Sequence, residues 1–376
     1  MISNKTALMV ASVPSMIGQF NMANISIWQE LGYKVIVACN FNDRSVWTDA
    51  RVDEFMSELD EKGITTCQID LPRKPTKISM IRKSYFQLDD VVNKYNVGLI
   101  HCHTPVASIV ARKVAHKNNI KVIYTAHGFH FFKGAPLKNW LFYYPVEKFC
   151  AHFTDVLITI NQEDYTLARK KMKAKQVEYV PGVGIDLTKF GQVVIDKSEK
   201  RKELGIPEYA TLLLSVGELN ENKNHETVIR AIKDLDVYYI IAGNGDLQKH
   251  LQDVICEFGL TERVKLLGYR TDVAELYQTA DVYVLPSVRE GLNVSIMEAM
   301  ASGLPVVCGR IRGNVDLIDK HGGALFEPRS VDECKKTLED VLGCEKNLLG
   351  IYNLKKVQMM SIEKVNTKMK ALYLRD

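Results

Sequence analysis

Short runs of apolar and β-branched residues recur along the chain, and their length is typical of buried strands. In the first half these runs are Thr6–Ser12, Tyr33–Cys39, Val97–Cys102, Ile120–Ala126 and Thr154–Ile160. Helical patterns separate them, at Asn21–Leu31, Ser79–Tyr95, Val106–Asn118 and Gln162–Lys175. Because strands that alternate with helices form right-handed βαβ units, the pattern predicts a parallel sheet that is covered by helices.

The same alternation begins again in the second half, where the predicted strands are Thr211–Val216, Val237–Ala242, Val264–Gly268, Asp281–Pro286 and Pro305–Cys308. A turn-rich segment, Val180–Asp186, and a charged stretch, Asp196–Glu203, separate the halves, so we predict a hinge near residue 185. The expected fold is α/β, with two Rossmann-like, doubly wound parallel-sheet domains at residues 1–185 and 186–359 that face a cleft. A final helix is predicted within residues 360–376.

Composition places the chain among ordinary globular proteins. Its 376 residues are 46% hydrophobic and 25% charged, which is enough for two domains with separate cores. The net charge of +4 is too small to argue for a nucleic-acid partner. Eight cysteines without Cys-x-x-Cys spacing suggest reduced thiols in a cytosolic protein. We find no leader-like start and no apolar run of membrane-spanning length, so we expect no membrane span.

The most informative stretch is Ser287–Val307, which is predicted to form a loop, a helix and a strand. Asn293 can cap the helix, which runs through Glu298, and the free N–H groups at its start suit a phosphate. Glu290 lies on the loop before it. Carboxylates beside a phosphate site are unfavourable unless they bind neutral hydroxyls. This arrangement therefore indicates a ligand with a central diphosphate and a hydroxyl-rich ring at each end, such as a nucleotide-sugar.

Taken singly, Glu290 as a turn residue and Glu298 on a solvated helix face would be the simpler interpretation. The complete string, from Glu290-Gly through Glu298 to Ala-Ser-Gly-Leu-Pro-Val-Val307, resembles the Glu-x7-Glu signature of retaining glycosyltransferases of family 4, which have the GT-B fold. The resemblance covers nearly the whole chain and is closest to bacterial capsule and exopolysaccharide glycosyltransferases. It implies that Glu290 faces the hydroxyls of the donor sugar and that Glu298 holds those of the ribose.

The same resemblance implies an acceptor-binding first domain, onto which the terminal helix packs back, and a donor-binding second domain. The expected substrates are a nucleotide-sugar, with UDP favoured as the nucleotide, and a saccharide or polyprenyl-linked saccharide with a free hydroxyl. Departure and attack on the same face of the sugar are implied, with neither a metal nor a cofactor. The expected location is the cytoplasm, with peripheral contact at the inner face of the membrane.

A second candidate string, Gly217-Glu-Leu-Asn-Glu-Asn-Lys223, follows a predicted strand. Family 4 usually has Gly-Arg-Leu here with a Lys four positions later, and the two cations neutralise the diphosphate leaving group. Lys223 keeps its place, but Glu218 stands where the Arg is expected. Either Lys223 neutralises more of the diphosphate charge, or Arg289, Arg310 or Arg312 replaces the missing arginine. A solvated loop lysine is the alternative.

Further donor contacts are implied by position. Tyr269 and Arg270 are candidates for contact with uracil. Gly18 follows the first strand, where a ligand contact and a simple turn are equally good interpretations. The complete predicted donor-binding set is Gly18, Gly217, Lys223, Tyr269, Arg270, Glu290, Gly291, Leu292, Asn293, Val294 and Glu298.

Histidines at predicted strand ends supply the remaining candidates. The resemblance places His127 near the transferred group, so the predicted catalytic residues are His127, Lys223 and Glu290. We interpret His130 as structural or acceptor-facing. His101 and His103 have a spacing that could ligate a metal, but no third ligand is evident. We therefore predict no metal site.

Aromatic residues at 129–132 and 140–144 alternate with Lys133, Lys138 and Lys148. Core packing explains most of them, although such a mixture also fits a membrane interface, and the basic run Arg169–Lys175 would favour anionic lipids. Two other functions remain open. A nucleotide-sugar epimerase or hydrolase would consume donor without an acceptor, and a catalytically weak binding partner would be consistent with Glu218.

Overall fold

The computed structural model describes residues 5–375. The chain divides into two compact units, one of Met1–Val183 with Val365–Asp376 and one of Gly184–Lys364. Residues 1–4 and Asp376, which were predicted to belong to the first domain and the terminal helix, lie outside the described residues. Each unit is built around one parallel sheet, and the boundary between the units falls next to the predicted hinge.

The first unit contains a seven-stranded sheet in the order β3-β2-β1-β4-β5-β6-β7. Its strands are β1 (Thr6–Val10), β2 (Lys34–Cys39), β3 (Thr65–Gln68), β4 (Val97–His103), β5 (Lys121–Ala126), β6 (Val156–Thr159) and β7 (Gln176–Tyr179). Its helices are α1 (Pro14–Phe20), α2 (Met22–Glu30), α3 (Asp49–Glu61), α4 (Ile78–Tyr95), α5 (Pro105–Lys117), α6 (Leu137–Ala151) and α7 (Gln162–Lys171).

The second unit contains a six-stranded sheet in the order β10-β9-β8-β11-β12-β13. Its strands are β8 (Leu212–Val216), β9 (Tyr238–Ala242), β10 (Val264–Gly268), β11 (Val282–Leu285), β12 (Val306–Gly309) and β13 (Gly323–Phe326). Its helices are α8 (Leu187–Gly191), α9 (Lys197–Glu203), α10 (His225–Ala231), α11 (Gln248–Glu257), α12 (Val273–Thr279), α13 (Val294–Ala301), α14 (Asn314–Leu317), α15 (Val331–Leu342) and α16 (Lys346–Val357), followed by a 3-10 turn (Gln358–Met360).

The last helix, α17 (Ile362–Leu374), supplies apolar side chains to the first unit. Val365, Met369, Leu372 and Tyr373 are buried in the core cluster that contains Trp28. The ring centroids of Tyr373 and Trp28 lie 5.3 Å apart. Among the helices of residues 5–375, none combines the length and apolar character needed to cross a membrane.

The predicted fold class is confirmed, since both sheets are parallel and doubly wound. Three strands, β3, β7 and β13, were not predicted, and all of them are edge strands of four residues. The residues of β7 are half-buried throughout. An edge strand pairs on one side only and needs no continuous apolar run, so these three short strands of mixed residues escape the pattern that identifies interior strands. The fourth edge strand, β10, was predicted because most of its residues are apolar.

The segment around Gly18 is also corrected. It was expected to be a loop, but Pro14–Phe20 forms α1, and Pro14 is at its first turn. A Cβ on Gly18 would overlap the ring of Trp47 and lie 3.1 Å from that of Phe55. The structure thus gives Gly18 a packing role within the first unit.

The first unit also encloses an ion pair. Arg112 on α5 is fully buried, and its Nη2 lies 2.9 Å from Oε2 of Glu147 on α6. The guanidinium also lies 4.4 Å from the ring centroid of Tyr124 and donates to Ser108. Both charges have lost water, so each depends on the other.

We expect Arg112→Met to lower the free energy of unfolding by about 3–5 kcal/mol, because it leaves the Glu147 carboxylate buried without its partner. The measurement is urea denaturation. The double variant Arg112→Met with Glu147→Leu should recover most of the loss. Lys83→Met is the control, because Lys83 is 66% exposed in its pair with Asp70 and should cost less than about 1 kcal/mol. Equal losses for Arg112→Met and Lys83→Met would show that the Arg112–Glu147 pair is not interdependent.

Candidate active site

The two strings singled out from the sequence meet at one place in the second unit. β8 and β11 are hydrogen-bonded neighbours, and the strand order reverses between them. Loops that leave such a pair of strands diverge and create the usual ligand crevice of a doubly wound sheet. The loop 217–224 follows β8, and the loop 286–293 follows β11.

Lys223 and Glu290 form the central contact between these loops. Nζ of Lys223 lies 2.8 Å from Oε1 of Glu290, and the two side chains are 17% and 16% exposed. Gly217 makes room for the lysine, since a Cβ there would lie 3.1 Å from Cε of Lys223. The site therefore holds a cation and a carboxylate that are partly dehydrated and neutralise each other.

Two asparagines brace the loops. The side chain of Asn222 donates to the carbonyl of Arg289 at 2.9 Å, and the carbonyl of Asn222 accepts from Val288 N at 2.9 Å. Asn224 adopts a left-handed backbone conformation, with φ of 56°, and its amide donates to the carbonyl of Pro286 at 3.1 Å. These bonds hold Lys223 opposite Glu290 independently of any ligand.

The predicted cap of α13 is confirmed. Oδ1 of Asn293 accepts from the backbone N–H of Ile296 at 3.3 Å and from the hydroxyl of Ser295 at 2.6 Å. The hydroxyl of Ser295 is in turn 2.5 Å from that of the buried Tyr283. The start of α13 is thus tied to β11, and its first turn presents N–H groups and the positive end of the helix dipole.

Glu298 lies one turn further along α13 and is half-buried. The hydroxyl of the buried Tyr277 donates to its Oε2 at 2.9 Å. Burial raises the pKa of Glu298 above its ordinary value of 4.5, against the opposing effects of this hydrogen bond and of Lys189. A fixed carboxyl group with one oxygen engaged by the protein is suited to accept a hydrogen bond from a hydroxyl group.

Of the three arginines considered as replacements for the missing cation, Arg312 is the one whose side chain contacts the Glu290 backbone. Its Nε donates to the carbonyl of Glu290 at 3.3 Å. Arg310 instead donates to the carbonyl of Leu325 and lies near Glu333. Glu218 is exposed and accepts a hydrogen bond from Asn220 at 2.8 Å. The hydrogen-bond partner of Glu218 is therefore Asn220 and not Lys223.

Glycines allow the loop that carries Arg312 to approach the loop that carries Glu290. Gly313 has φ of 79°, and a Cβ at this position would overlap the carbonyl oxygen of Gly291. The carbonyl of Gly291 therefore packs directly against the Arg312 loop. Sequence reasoning named Gly291 but missed this contact, for which the Arg312-Gly313 pair was the available signal.

Tyr269 and Arg270 follow β10, two strands away from β8. Tyr269 is 77% exposed. Arg270 forms hydrogen bonds to both carboxyl oxygens of Asp272, at 2.7 and 2.5 Å, and to Glu203 at 3.1 Å. The structure does not bring these two side chains to Lys223 and Glu290.

In the first unit, His127 and His103 form a hydrogen-bonded pair. Nε2 of His127 lies 3.0 Å from Nδ1 of His103, at the ends of the neighbouring strands β5 and β4. His103 is buried, and its Nε2 has no partner among residues 5–375. Both rings line a small cavity of this unit together with Phe20, Asn24 and Thr125.

His101 continues the group on β4. Its Nδ1 lies 2.9 Å from the hydroxyl of Tyr373, and its Nε2 lies 2.8 Å from that of Thr125. Burial lowers the pKa of His101 to about 3 and that of His103 well below its usual range. It also lowers the pKa of His127, a residue that is half-buried. Within residues 5–375 there is no group of three or more His, Cys, Asp or Glu side chains that could hold a metal ion.

Neutral rings constrain how the pair shares its proton, since each has one donor and one acceptor nitrogen. If His127 donated, His103 would bury an N–H group without a partner. If His103 donates through Nδ1, only an acceptor is left unpaired, which is the less costly outcome. We therefore assign the proton of His127 to Nδ1, where it can be donated to another group.

The backbone beside this pair is strained. Thr104, directly after His103, has φ of 65°, which is unusual for a β-branched residue. Its hydroxyl lies 2.8 Å from that of Ser12, at the end of β1, and accepts from the Ser12 backbone N–H. Strain of this kind persists where the surroundings hold it and often marks functional sites.

Two doubly wound parallel sheets are the architecture of the GT-B class of glycosyltransferases, and comparisons with known proteins identify the family. Residues 196–354 match the family described as "Glycosyl transferases group 1", and residues 25–161 match "Glycosyl transferase 4-like". The chain is 33% identical over 334 residues to the putative glycosyltransferase EpsD of Bacillus subtilis (strain 168), covering 86% of this chain and 84% of the relative. The chain belongs to this glycosyltransferase family, as the Glu-x7-Glu string predicts.

A second relative is the Escherichia coli enzyme named UDP-Gal:alpha-D-GlcNAc-diphosphoundecaprenol alpha-1,3-galactosyltransferase. It is 30% identical over 276 residues, which are 70% of this chain and 71% of the relative. Among solved structures, Anabaena Alr3699/HepE in complex with UDP superposes with a TM-score of 0.79 at 19% identity, covering 98% of this chain and 99% of that one. The structural likeness confirms the GT-B fold.

We expect Glu298→Gln to stabilise the second unit at neutral pH. Because the pKa of Glu298 is raised on folding, its stabilising proton is fully bound below the ordinary value of 4.5 and is lost as the pH rises through the folded pKa. The glutamine carries no charge and can still accept from Tyr277. The measurement is the thermal midpoint of both proteins across a pH series that begins below 4.5.

The advantage of Glu298→Gln should disappear at the acidic end of this series. An advantage that grows on acidification, or none at neutral pH, would contradict the raised pKa. Glu333→Gln is a suitable control, because Glu333 is a partly exposed glutamate on another helix of the same unit.

Proposed function

We propose that this protein is a retaining glycosyltransferase that moves a sugar from a UDP-sugar to a hydroxyl group of a polyprenyl-linked saccharide, in capsule or exopolysaccharide synthesis. The observation that carries the proposal is the Lys223–Glu290 pair at the reversal of strand order, beside the capped start of α13. This geometry offers charge to a diphosphate and acceptors to the hydroxyls of a sugar and a ribose.

The names of the comparison proteins support the choice of substrates. The Escherichia coli relative is named as a transferase that uses UDP-galactose and an acceptor on diphosphoundecaprenol. The Anabaena structure contains UDP. The match covers 70% of this chain, which is more than either unit contains, so the likeness is not confined to one of the two units.

Lys223 is proposed to change partners during the reaction. In the absence of ligand its ammonium group is neutralised by Glu290 at 2.8 Å. A diphosphate at the start of α13 would attract Lys223 and free Glu290 to accept from sugar hydroxyls. The charge of the leaving group grows as the glycosidic bond breaks, so the cation stabilises the transition state more than the ground state.

Arg312 is proposed as the second cation. It occupies the loop against Gly291 and donates to the carbonyl of Glu290, so it reaches the same loop that Lys223 contacts. Two fixed cations and a helix start can neutralise a diphosphate, so we propose a transfer that uses neither a metal ion nor a cofactor.

His127 is proposed as the third catalytic side chain. Its Nδ1 proton, assigned above from the His103 contact, can be donated to an oxygen of the transferred group. The lowered pKa keeps the ring uncharged at neutral pH, so this donation does not require an imidazolium. The retaining step is proposed to proceed by attack on the face from which the leaving phosphate departs.

The proposed acceptor also sets the proposed location. A polyprenyl-linked saccharide is held in a membrane, and UDP-sugars are dissolved in the cytoplasm. We therefore propose that the protein works in the cytoplasm at the inner face of the cell membrane.

We expect Lys223→Ala and Glu290→Gln each to lower transfer by about 100- to 1,000-fold, because each removes one partner of the developing charge or of the sugar. The measurement is single-turnover transfer of radiolabelled sugar to an undecaprenyl-diphosphate saccharide. Arg312→Ala should also reduce transfer, whereas Arg310→Ala should not.

Glu221→Gln and Lys233→Ala serve as matched controls, since both residues are exposed in the same unit. If both Lys223→Ala and Glu290→Gln show near-normal transfer and unchanged thermal midpoints, the assignment of the active site is wrong.

A second experiment tests the reaction type. We expect UDP to raise the thermal midpoint more than GDP or ADP does, because a ligand that binds the folded chain stabilises it by mass action. With a UDP-sugar and an acceptor, NMR should give a product whose anomeric configuration matches that of the donor. Turnover of donor without acceptor at the same rate would favour an epimerase or hydrolase, and UDP binding without any turnover would favour a binding partner.

A further inference from the structure

Helix α6 has two apolar faces, of which only one packs against the protein. On the inner face, Tyr143, Tyr144 and Trp140 pack against the core of the first unit, and Glu147 and Cys150 are buried. On the other face, Leu137 and Leu141 are each 72% exposed, Phe142 is 51% exposed and Phe149 is 55% exposed. A helix that is apolar all round is normally enclosed on all sides.

The exposed side chains share one face because of their spacing. At about 100° per residue, the four side chains fall within an arc of about 140° around the helix. They form a stripe about 18 Å long. We call these four residues the α6 face.

Of the aromatic residues whose pattern suggested a membrane interface, some are buried in the structure and others are exposed. Phe129 and Phe131 are buried in the core and stack with their ring centroids 4.8 Å apart. Leu137, Leu141 and Phe149 are exposed instead. The burial pattern thus excludes Phe129 and Phe131 from the predicted surface and restricts that surface to α6, which contains residues 140–144 of the predicted mixture.

The exposed charges along the segment that contains the α6 face have one sign. Lys133, Lys138 and Lys148 are exposed between residues 133 and 152, and Glu147 is the single acidic residue in that range. Glu147 is buried and paired with Arg112 at 2.9 Å. No exposed carboxylate therefore accompanies the apolar stripe within this segment.

We propose that the α6 face docks the protein onto an anionic lipid bilayer, with Leu137, Leu141, Phe142 and Phe149 among the acyl chains and Lys138 and Lys148 at the phosphate level. The inference deepens the proposed function and rests on it, since the acceptor is carried by a lipid. Exposed apolar and aromatic side chains with lysines between them match what an interfacial helix presents to headgroups, because lysine stems can extend from the apolar level to the phosphates.

Charge complementarity favours a bilayer over a second copy of the chain. In a symmetric dimer the same patch faces itself, so the lysines of one copy would face those of the other, and residues 133–152 supply no exposed carboxylate to pair with them. A surface of anionic headgroups supplies a partner for every lysine at once.

The test is flotation of the full-length protein with vesicles of phosphatidylglycerol and phosphatidylcholine, without donor or acceptor. We expect the wild-type protein to float with these vesicles, and to float much less with pure phosphatidylcholine or at high salt. Leu141→Glu with Phe142→Glu should abolish flotation. Lys138→Glu with Lys148→Glu should weaken it by at least about fivefold for each lysine.

Matched controls separate this face from other exposed apolar and basic surfaces. Leu348 and Ile351 on α16 are 60% and 62% exposed, so Leu348→Glu with Ile351→Glu changes a similar apolar surface in the other unit. Lys170→Glu with Lys171→Glu changes the basic end of α7. Both control variants should float like the wild type, and all variants should keep its circular dichroism spectrum.

Three results would overturn the inference. The first is that the wild-type protein does not float. The second is that the control variants lose flotation while the α6 variants keep it. The third is that the wild-type protein is a dimer that binds no vesicles and the α6 variants are monomers. Transfer to a water-soluble, short-chain acceptor should be unchanged in the α6 variants. If Lys223→Ala loses transfer but still floats, the active-site assignment is supported independently of membrane docking. If the α6 variants lose flotation but keep transfer, the docking face is supported independently of the active site.

Discussion

The site of the second unit depends on one constraint of parallel sheets, the reversal of strand order between β8 and β11. Neighbouring strands release their loops at the same edge, and the crossovers on either side then carry the chain in opposite directions. Lys223 and Glu290 are 67 residues apart in sequence, yet they meet at 2.8 Å because their strands pair. The cap at Asn293 and the approach of Arg312 follow from the same reversal, since α13 and β12 continue directly from it.

The site of the second unit and the histidine group of the first unit both contain ionisable side chains in surroundings that disfavour their charged forms. Burial raises the pKa of Glu298 and lowers the pKa of His101, so each group is held for its hydrogen bonds at a cost in solvation. Lys223 and Glu290 are largely buried and neutralise each other. The hydrogen bonds that join the two loops of the second unit are already formed without ligand, so the main reorganisation in the proposed reaction is the movement of Lys223 from Glu290 to the diphosphate.

Interior strands were predictable from the sequence because a strand that is enclosed on both faces must be apolar along its length. β1, β2, β4, β5, β6, β8, β9, β11 and β12 meet this condition closely enough to be recognised, and the edge strand β10 was recognised because most of its residues are apolar. β3, β7 and β13 were not recognised because they close the sheet edges with mixed residues. The packing of Gly18 against Trp47 was equally invisible, because the two residues are far apart in the chain.

The sequence alone determined the family, the parallel-sheet plan, the cap at Asn293 and the identity of Lys223, Glu290 and Glu298 as candidates, because each is encoded in a local string. Tertiary structure decided which side chains support them. Arg312 reaches the Glu290 loop through the close approach of Gly291 and Gly313, Tyr277 reaches Glu298 from α12, and His103 reaches His127 from the next strand. Which face of α6 is exposed was likewise decided by packing, because a helix that is apolar on both sides gives no local signal of the side that meets the core.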